Sequence, residues 1–397
     1  LQQDARTYQT YRRKAVKFLK ITKPYRLKDY KFSLIVLVLA TSCLGVLVIG
    51  SANEAYQGRQ LIGLAGSILL MVVVSLIDYV WIANFYWLFY FLSVGMLAIV
   101  LIPGVGEVVN GARRWINLGF TNFQPSELAK IFLIVFFARF IMKHEEDLSS
   151  RRTILKAVAL ILVPLALIFE EPNLSTTICT ATLFCVLMYV GGLSYKFIGM
   201  VLLITVPVAV IFLSIVVQPD QKILDDYQQK RILAWLNPEE YASDEAYQQN
   251  NSVIAIGSGQ LTGKGLNNNT TTSVKNGNFI LEPQTDFIFA IVGEELGFVG
   301  CCIFIALLLL IVIQCILIGI RAQDVTGKII CCGVGALIGI QTFINIAVAT
   351  QIIPNTGIPL PFVSYGLTSL GSMYLGIGFV LNVGLQPKKY QDKLTTL

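Results

Sequence analysis

The chain has 397 residues, 55% of them hydrophobic and only 14% charged, with a mean hydropathy of +0.68 and a formal net charge of +6. A soluble domain of this length cannot bury so much apolar residue, so lipid must solvate most of the chain. The single histidine, His144, stands in a polar, charged stretch, which excludes His-based triads and His-rich metal sites.

Taken in order, residues 1–31 form a basic segment with ten Lys and Arg. Next to a membrane helix such a segment meets anionic lipid headgroups rather than nucleic acid. It lacks a small-residue cleavage site, so no cleavable signal is expected and the first helix serves as its own insertion signal. Apolar runs long enough to cross a hydrocarbon core then occur at 32–52, 61–78, 81–102, 127–142, 154–169, 174–193, 197–217, 287–320, 328–350 and 362–384. The expected fold is therefore all-α: a polytopic membrane protein of about ten transmembrane helices, forming one domain over 32–384, with a tail at 385–397. Lys and Arg concentrate on the side of the N-terminus, which places both termini in the cytoplasm. The eight cysteines all fall in expected spans, so no disulfide framework and no metal-spaced cluster is expected.

The long polar segments then lie outside: 103–126, 170–173, 218–286 and 351–361. The third, between spans seven and eight, is far longer than an ordinary connection. Within it, residues 223–236 carry apolar residues at helical spacing, which predicts an amphipathic helix lying at the interface.

Ionisable residues at this outer edge are the candidates for chemistry, since charge beside a membrane is costly to keep. Arg113, Arg114 and Trp115 precede Gln124-Pro-Ser-Glu127, where Ser126 is placed to cap the fourth span. Glu127 and Lys130, three apart on one helical face, either pair with each other or bind ligand. Glu170 and Glu171 stand in a turn closed by Pro172. Asp286 sits where the long loop enters the eighth span, beside Phe287 and Phe289, and serves either as a general base or as a helix cap. Glu294 and Glu295 lie deeper on the same helix, and Lys130 or Arg114 is the expected partner. Finally, 354–366 holds three prolines and two glycines, so its irregular backbone must be buried in protein or line a cavity.

Seven segments in this order resemble the signatures of the SEDS family, which contains RodA, FtsW and SpoVE. They are Gly111-Ala-Arg-Arg-Trp-Ile116, Phe123-Gln-Pro-Ser-Glu-Leu-Ala-Lys130, Ile254-Ala-Ile-Gly-Ser-Gly259, Gly263-Lys-Gly265, Thr285-Asp-Phe-Ile-Phe-Ala290, Gly293-Glu-Glu-Leu-Gly297 and Leu360-Pro-Phe-Val-Ser-Tyr-Gly366. The resemblance implies a peptidoglycan glycosyltransferase that polymerises lipid II into glycan strands at the outer face of the cytoplasmic membrane, for cell elongation and shape. It implies Asp286 as the catalytic residue, with Arg114, Trp115, Gln124, Ser126, Glu127, Lys130, Glu294 and Ser364 lining the substrate site. It further implies a class B penicillin-binding protein, a transpeptidase, as partner. No metal ligands are assigned and no cofactor is established; a divalent cation is compatible with the site.

This chain departs from the family pattern in three places. It has Pro172-Asn-Leu-Ser-Thr176 where the family has Pro-Asp-Leu-Gly-Thr, so any role for an acid there is either lost or passes to Glu170 or Glu171. Ser364-Tyr-Gly-Leu-Thr-Ser369 replaces Ser-Tyr-Gly-Gly-Ser-Ser, and the usual Pro-Glu order before the aspartate becomes Glu282-Pro283. The rival readings are a division or sporulation member with the same chemistry, a lipid II flippase, and a non-catalytic membrane scaffold. A flippase would show broken helices in repeat-related halves with polar groups at mid-membrane, whereas the candidates here crowd the outer edge.

Overall fold

The structure, a computed structural model, describes residues 29–386 apart from 110–111, 120, 196–198, 200–202, 204–206, 208–210, 212–213, 219–225, 242–244, 268–272, 274–276, 278 and 281. Every predicted span except 197–217, most of which lies outside the described residues, coincides with a helix. These are α1 (Phe32–Ala52), α2 (Glu54–Leu76), α3 (Tyr79–Ala83), α4 (Tyr86–Leu101), α5 (Pro125–Lys143), α6 (Arg151–Glu170) and α7 (Leu174–Val190). After the long loop come α10 (Ile288–Ile320), α11 (Val325–Ala349) and α12 (Leu367–Gly384). Two further helices, α8 (Asp226–Leu236) and α9 (Glu245–Ser258), lie within that loop. Six of these helices are long and apolar enough to cross a membrane, and α4 and α7 are shorter apolar helices.

Local sequence sets the helix ends. Asn53, Ser150, Asn173 and Asp324 each accept a backbone N–H of the first turn of α2, α6, α7 and α11. Three expectations need correction. The span at 81–102 is interrupted at Asn84 and Phe85, which separate α3 from α4. The span at 362–384 starts its helix only at Leu367, because the residues before it form a buried loop. And the segment at 103–126 contains a small antiparallel sheet of order β1-β2-β3: Gly106–Val109, Ala112–Asn117 and Asn122–Phe123.

Helix α11 lies at the centre, touching α5, α7, α10 and α12. The most hydrophobic stretches of α11 and α12 are 67% and 72% buried, against 28% for α6 and 33% for α2 and α10. The former pair therefore form the interior and the latter face lipid.

The long α10 is not one straight rod. Gly297 adopts φ +66°, ψ −165°, which breaks it into two helices. The loop following α9 fills the break: Lys264 and Gly265 donate backbone N–H to the carbonyls of Glu294 and Glu295, while Phe298 and Val299 donate to Gln260 and Leu261. This pairing explains the glycine-rich motifs. A Cβ on Gly259 would sit 1.9 Å from the Gly293 carbonyl oxygen, and one on Gly297 would sit 2.3 Å from the Gly263 nitrogen. Only glycine allows two backbones to approach so closely.

Candidate active site

The site assembles at the N-terminal end of α10. Asp286 precedes this helix, but Phe287 is the N-cap and no side chain caps it, so the capping alternative for Asp286 does not hold. Its backbone is fixed instead by neighbours from the far end of the chain. The buried Asn345 of α11 donates from Nδ2 to the carbonyls of both Asp286 and Ile358, each at 2.8 Å. Ser364 Oγ donates to the Thr285 carbonyl at 2.6 Å and accepts the Leu360 N–H at 2.8 Å, while Tyr365 N donates to the Gln284 carbonyl. Residues 284–286 are thereby stitched to 358–365. Residues 360–364 are fully buried, as expected for irregular backbone in this position. At Gly357, with φ +70°, a Cβ would come 3.2 Å from Asp286 Oδ2, so glycine lets the loop backbone close over the carboxylate.

Burial pushes the Asp286 carboxyl above the usual aspartate range, although the residue as a whole is only half-buried. The guanidinium groups of Arg231 and Arg114 oppose that rise, and Glu282 adds to it. Arg114 owes its position to a β-bulge. Strand partners step from Glu107 opposite Trp115 to Val108 opposite Arg113, which leaves Arg114 as the extra residue. Its Nε donates to the Glu171 carbonyl at 3.1 Å, and its Nη2 donates to the Pro172 carbonyl. Arg231 projects from α8 and donates from Nη1 to the Asn355 carbonyl at 3.4 Å. In the same helix Trp235 Nε1 donates to Gln351 at 3.2 Å. The predicted amphipathic helix thus exists from Asp226 onward, and its Trp235 docks on the 351–355 loop.

Other predicted residues fall into place differently. Lys130 and Glu127 form an ion pair at 2.7 Å with both side chains buried, and Gln341 Nε2 reaches Glu127 Oε2 at 3.5 Å. Glu294 pairs with Lys264 at 2.8 Å, and Glu295 accepts from Ser51 Oγ at 2.6 Å. The expected partners of these two carboxylates, Lys130 and Arg114, are not theirs, because Lys264 is carried into the helix break. Ser126 does not cap α5 either: Gln124 is the N-cap, Pro125 takes the first helical position, and the Ser126 hydroxyl is buried without a hydrogen-bond partner. Gln124 N donates to Thr368 Oγ1 at 3.4 Å, and Trp115 is half-buried on β2.

Glu171 is buried at the end of α6, and neither of its carboxyl oxygens has a hydrogen-bond partner. Burial raises its pKa to about 8 despite the nearby Arg114. The neighbouring Asn173, which stands where an aspartate was expected, is occupied as the cap of α7. A separate polar pocket of about 480 Å³, walled by Ser51, Asn53, Glu54, Gln57 and Asn267, does not include Asp286. That pocket holds one acidic side chain, Glu54, whereas Asp286 lies in the field of two guanidinium groups, the kind of charge cluster that marks a candidate site.

Sequence reasoning missed Arg231, Asn345 and Gly357. For Asn345 a signal existed, since Gln341 and Asn345 are two polar residues one turn apart inside an apolar span. Arg231 had none beyond its place on an amphipathic helix.

The family model for FtsW, RodA and SpoVE, described as "Cell cycle protein", matches residues 27–389. The chain is 33% identical over 359 residues to the peptidoglycan glycosyltransferase MrdB of Escherichia coli K12, covering 88% of this chain and 92% of that one. It is also 33% identical over 365 residues to stage V sporulation protein E of Bacillus subtilis, covering 88% and 95%. To a probable peptidoglycan glycosyltransferase FtsW of Trichlorobacter lovleyi it is 31% identical over 379 residues, covering 91% and 95%. Among solved structures, a chain of a peptidoglycan synthase complex that coordinates polymerization and crosslinking superposes with a TM-score of 0.74 at 26% identity, covering 89% and 97%. The Thermus thermophilus rod shape determining protein RodA superposes with a TM-score of 0.64 at 25% identity, covering 89% and 96%.

Proposed function

The chain belongs to the FtsW/RodA/SpoVE family, and from that membership we propose that it is a RodA-type peptidoglycan glycosyltransferase that polymerises lipid II with Asp286 as general base. One observation supports this reading above the rest. A carboxyl lifted by burial stands in the field of two guanidinium groups, on a loop held rigid by Asn345 and Ser364.

In the reaction, the acceptor sugar's 4-hydroxyl attacks the anomeric carbon of the donor. Its proton passes to an Asp286 carboxylate oxygen, and the bond to undecaprenyl pyrophosphate breaks with inversion. A hydroxyl is a poor nucleophile near neutral pH, and a positioned base contributes typically about 10²–10⁴-fold. The leaving pyrophosphate gathers negative charge, which Arg114 and Arg231 stabilise. Trp115 and Gln124 contact substrate, and Ser126, which is buried at the start of α5, supports them from within. Glu127 and Lys130 support the site from within as a neutral pair, and Glu294 contributes through Lys264.

The protein is a multi-pass membrane protein. The distribution of its basic residues supports cytoplasmic N- and C-termini and an external Asp286, within reach of a lipid-linked headgroup. We assign a class B penicillin-binding protein as the partner that crosslinks the product. The synthase complex to which the chain is similar, which coordinates polymerization and crosslinking, supports that assignment.

The test is polymerisation of purified lipid II by the protein in liposomes without a partner polymerase. The parent should form glycan strands, and Asp286→Asn should lose on the order of 10²-fold or more. Near-parental polymerisation by Asp286→Asn overturns the base assignment, and headgroup translocation without polymerisation overturns the enzyme.

A further inference from the structure

At the end of the bundle opposite Asp286, the start of α1, the end of α10 and the end of α12 enclose a cleft of about 330 Å³. Its walls include Lys31, Ser33, Gln314 and Arg321 among the polar residues and as many apolar ones, Leu317 and Gly384 among them. Gln314 lies seven residues inside Arg321 on α10, so the cleft runs roughly 10 Å from the helix end into the span. Gly384 shapes it. A Cβ there would meet Lys31 Cγ at 3.1 Å, so the missing side chain lets the lysine stem lie across the end of α12.

Among the described residues, neither the Lys31 ammonium nor the Arg321 guanidinium takes part in a hydrogen bond or an ion pair. Lys31 is half-buried and Arg321 exposed. The surface around the mouth is apolar and bare: Phe32, Val36, Leu317 and Ile320 are exposed at 57%, 64%, 44% and 63%. In a membrane-spanning chain these side chains meet acyl tails. Two cations and a Ser at the cleft's mouth, with a Gln deeper inside and lipid-facing apolar residues along its border, match a ligand with a phosphate at one end and hydrocarbon at the other.

We propose that this cleft is a binding site for the headgroup of an anionic phospholipid, with its phosphate between Lys31 and Arg321 and its acyl chains along Leu317 and Val36. The site is independent of the reaction at Asp286. It anchors the ends of α1, α10 and α12 to one lipid and fixes the depth of the bundle in an anionic leaflet.

Native mass spectrometry of the full chain released from nanodiscs tests this, with phosphatidylglycerol and phosphatidylcholine offered in equal amounts. The parent should retain phosphatidylglycerol in preference, and K31Q/R321Q should lose that preference by about thirtyfold, about fivefold for each cation. A control removing equal charge from exposed positions of α6, R152Q/K156Q, should keep it. So should K31R/R321K, which preserves both charges. Single K31Q and R321Q proteins, each a milder change, should show intermediate losses and carry the test if the double variant unfolds. Equal retention of the two lipids by the parent overturns the proposal, as does an equal loss in the α6 control. Displacement of the bound lipid by millimolar inorganic phosphate overturns the assignment to a lipid in favour of a free anion.

Discussion

Asn345 Nδ2 donates at 2.8 Å to the backbone carbonyl of Asp286, from a helix 59 residues further along the chain. The same nitrogen holds Ile358, so one buried amide sets the distance between Asp286 and the loop that closes over it. Asn345→Leu should leave two carbonyls without a donor, each at a cost of about 1–3 kcal/mol. We expect the turnover number for lipid II polymerisation to fall tenfold or more while lipid II affinity changes little. A variant with parental turnover and a lowered melting temperature would show that Asn345 serves folding alone.

Arg231 is the stronger of the two guanidinium groups that hold the Asp286 carboxyl down against burial. A base must be ionised, so activity is lost as pH falls through its pKa. Removing the opposing charge lets burial carry that pKa further up. The acid limb of the kcat/KM profile should therefore move to higher pH in Arg231→Gln. An unmoved limb with lower activity throughout would assign Arg231 to substrate binding only.

Lys130 and Glu127 are both buried and paired at 2.7 Å. Removing one partner of such a pair strands the other charge, which typically costs about 3–5 kcal/mol, whereas replacing both is often neutral. Lys130→Met alone should reduce the yield of folded protein, and Glu127→Gln with Lys130→Met should recover it. Folded but inactive Lys130→Met protein would instead show that the lysine acts on substrate.

Glu171 has both carboxyl oxygens buried without partners, and its pKa is pushed up to about 8 from an ordinary 4.5. The folded state then holds a proton that the unfolded state has released. Stability should be full below about pH 4.5 and decline as pH rises toward 8, by at most about 1.4 kcal/mol per pH unit. Thermal unfolding across that window should show a shallower decline in Glu171→Gln. Equal slopes in the two proteins would mean that the carboxyl is ionised in the folded state.

Much of the architecture was fixed locally. A run such as 32–52 has no option in lipid but to satisfy its backbone as a helix, so the spans follow from composition. Asp286 stood out for the same reason, as a charge kept at the membrane edge. The irregular backbone of 354–366 likewise announced its own burial, because three prolines cannot continue a helix.

Pairing between distant residues lay beyond that logic. Whether Glu294 meets Lys130 or Lys264 depends on Gly297 breaking α10 and on the 259–265 loop entering the gap, an arrangement of two backbones that helical periodicity does not encode. Arg114 reaches the α6–α7 turn because a β-bulge redirects it, and Arg231 joins Asp286 because α8 docks on the 351–355 loop. Hydropathy acts residue by residue along the chain and sets which segments enter the bilayer. The fields on Asp286 come from groups 55 and 172 positions away in sequence, and only the packing of the folded bundle brings such groups within the few ångströms over which charge is felt.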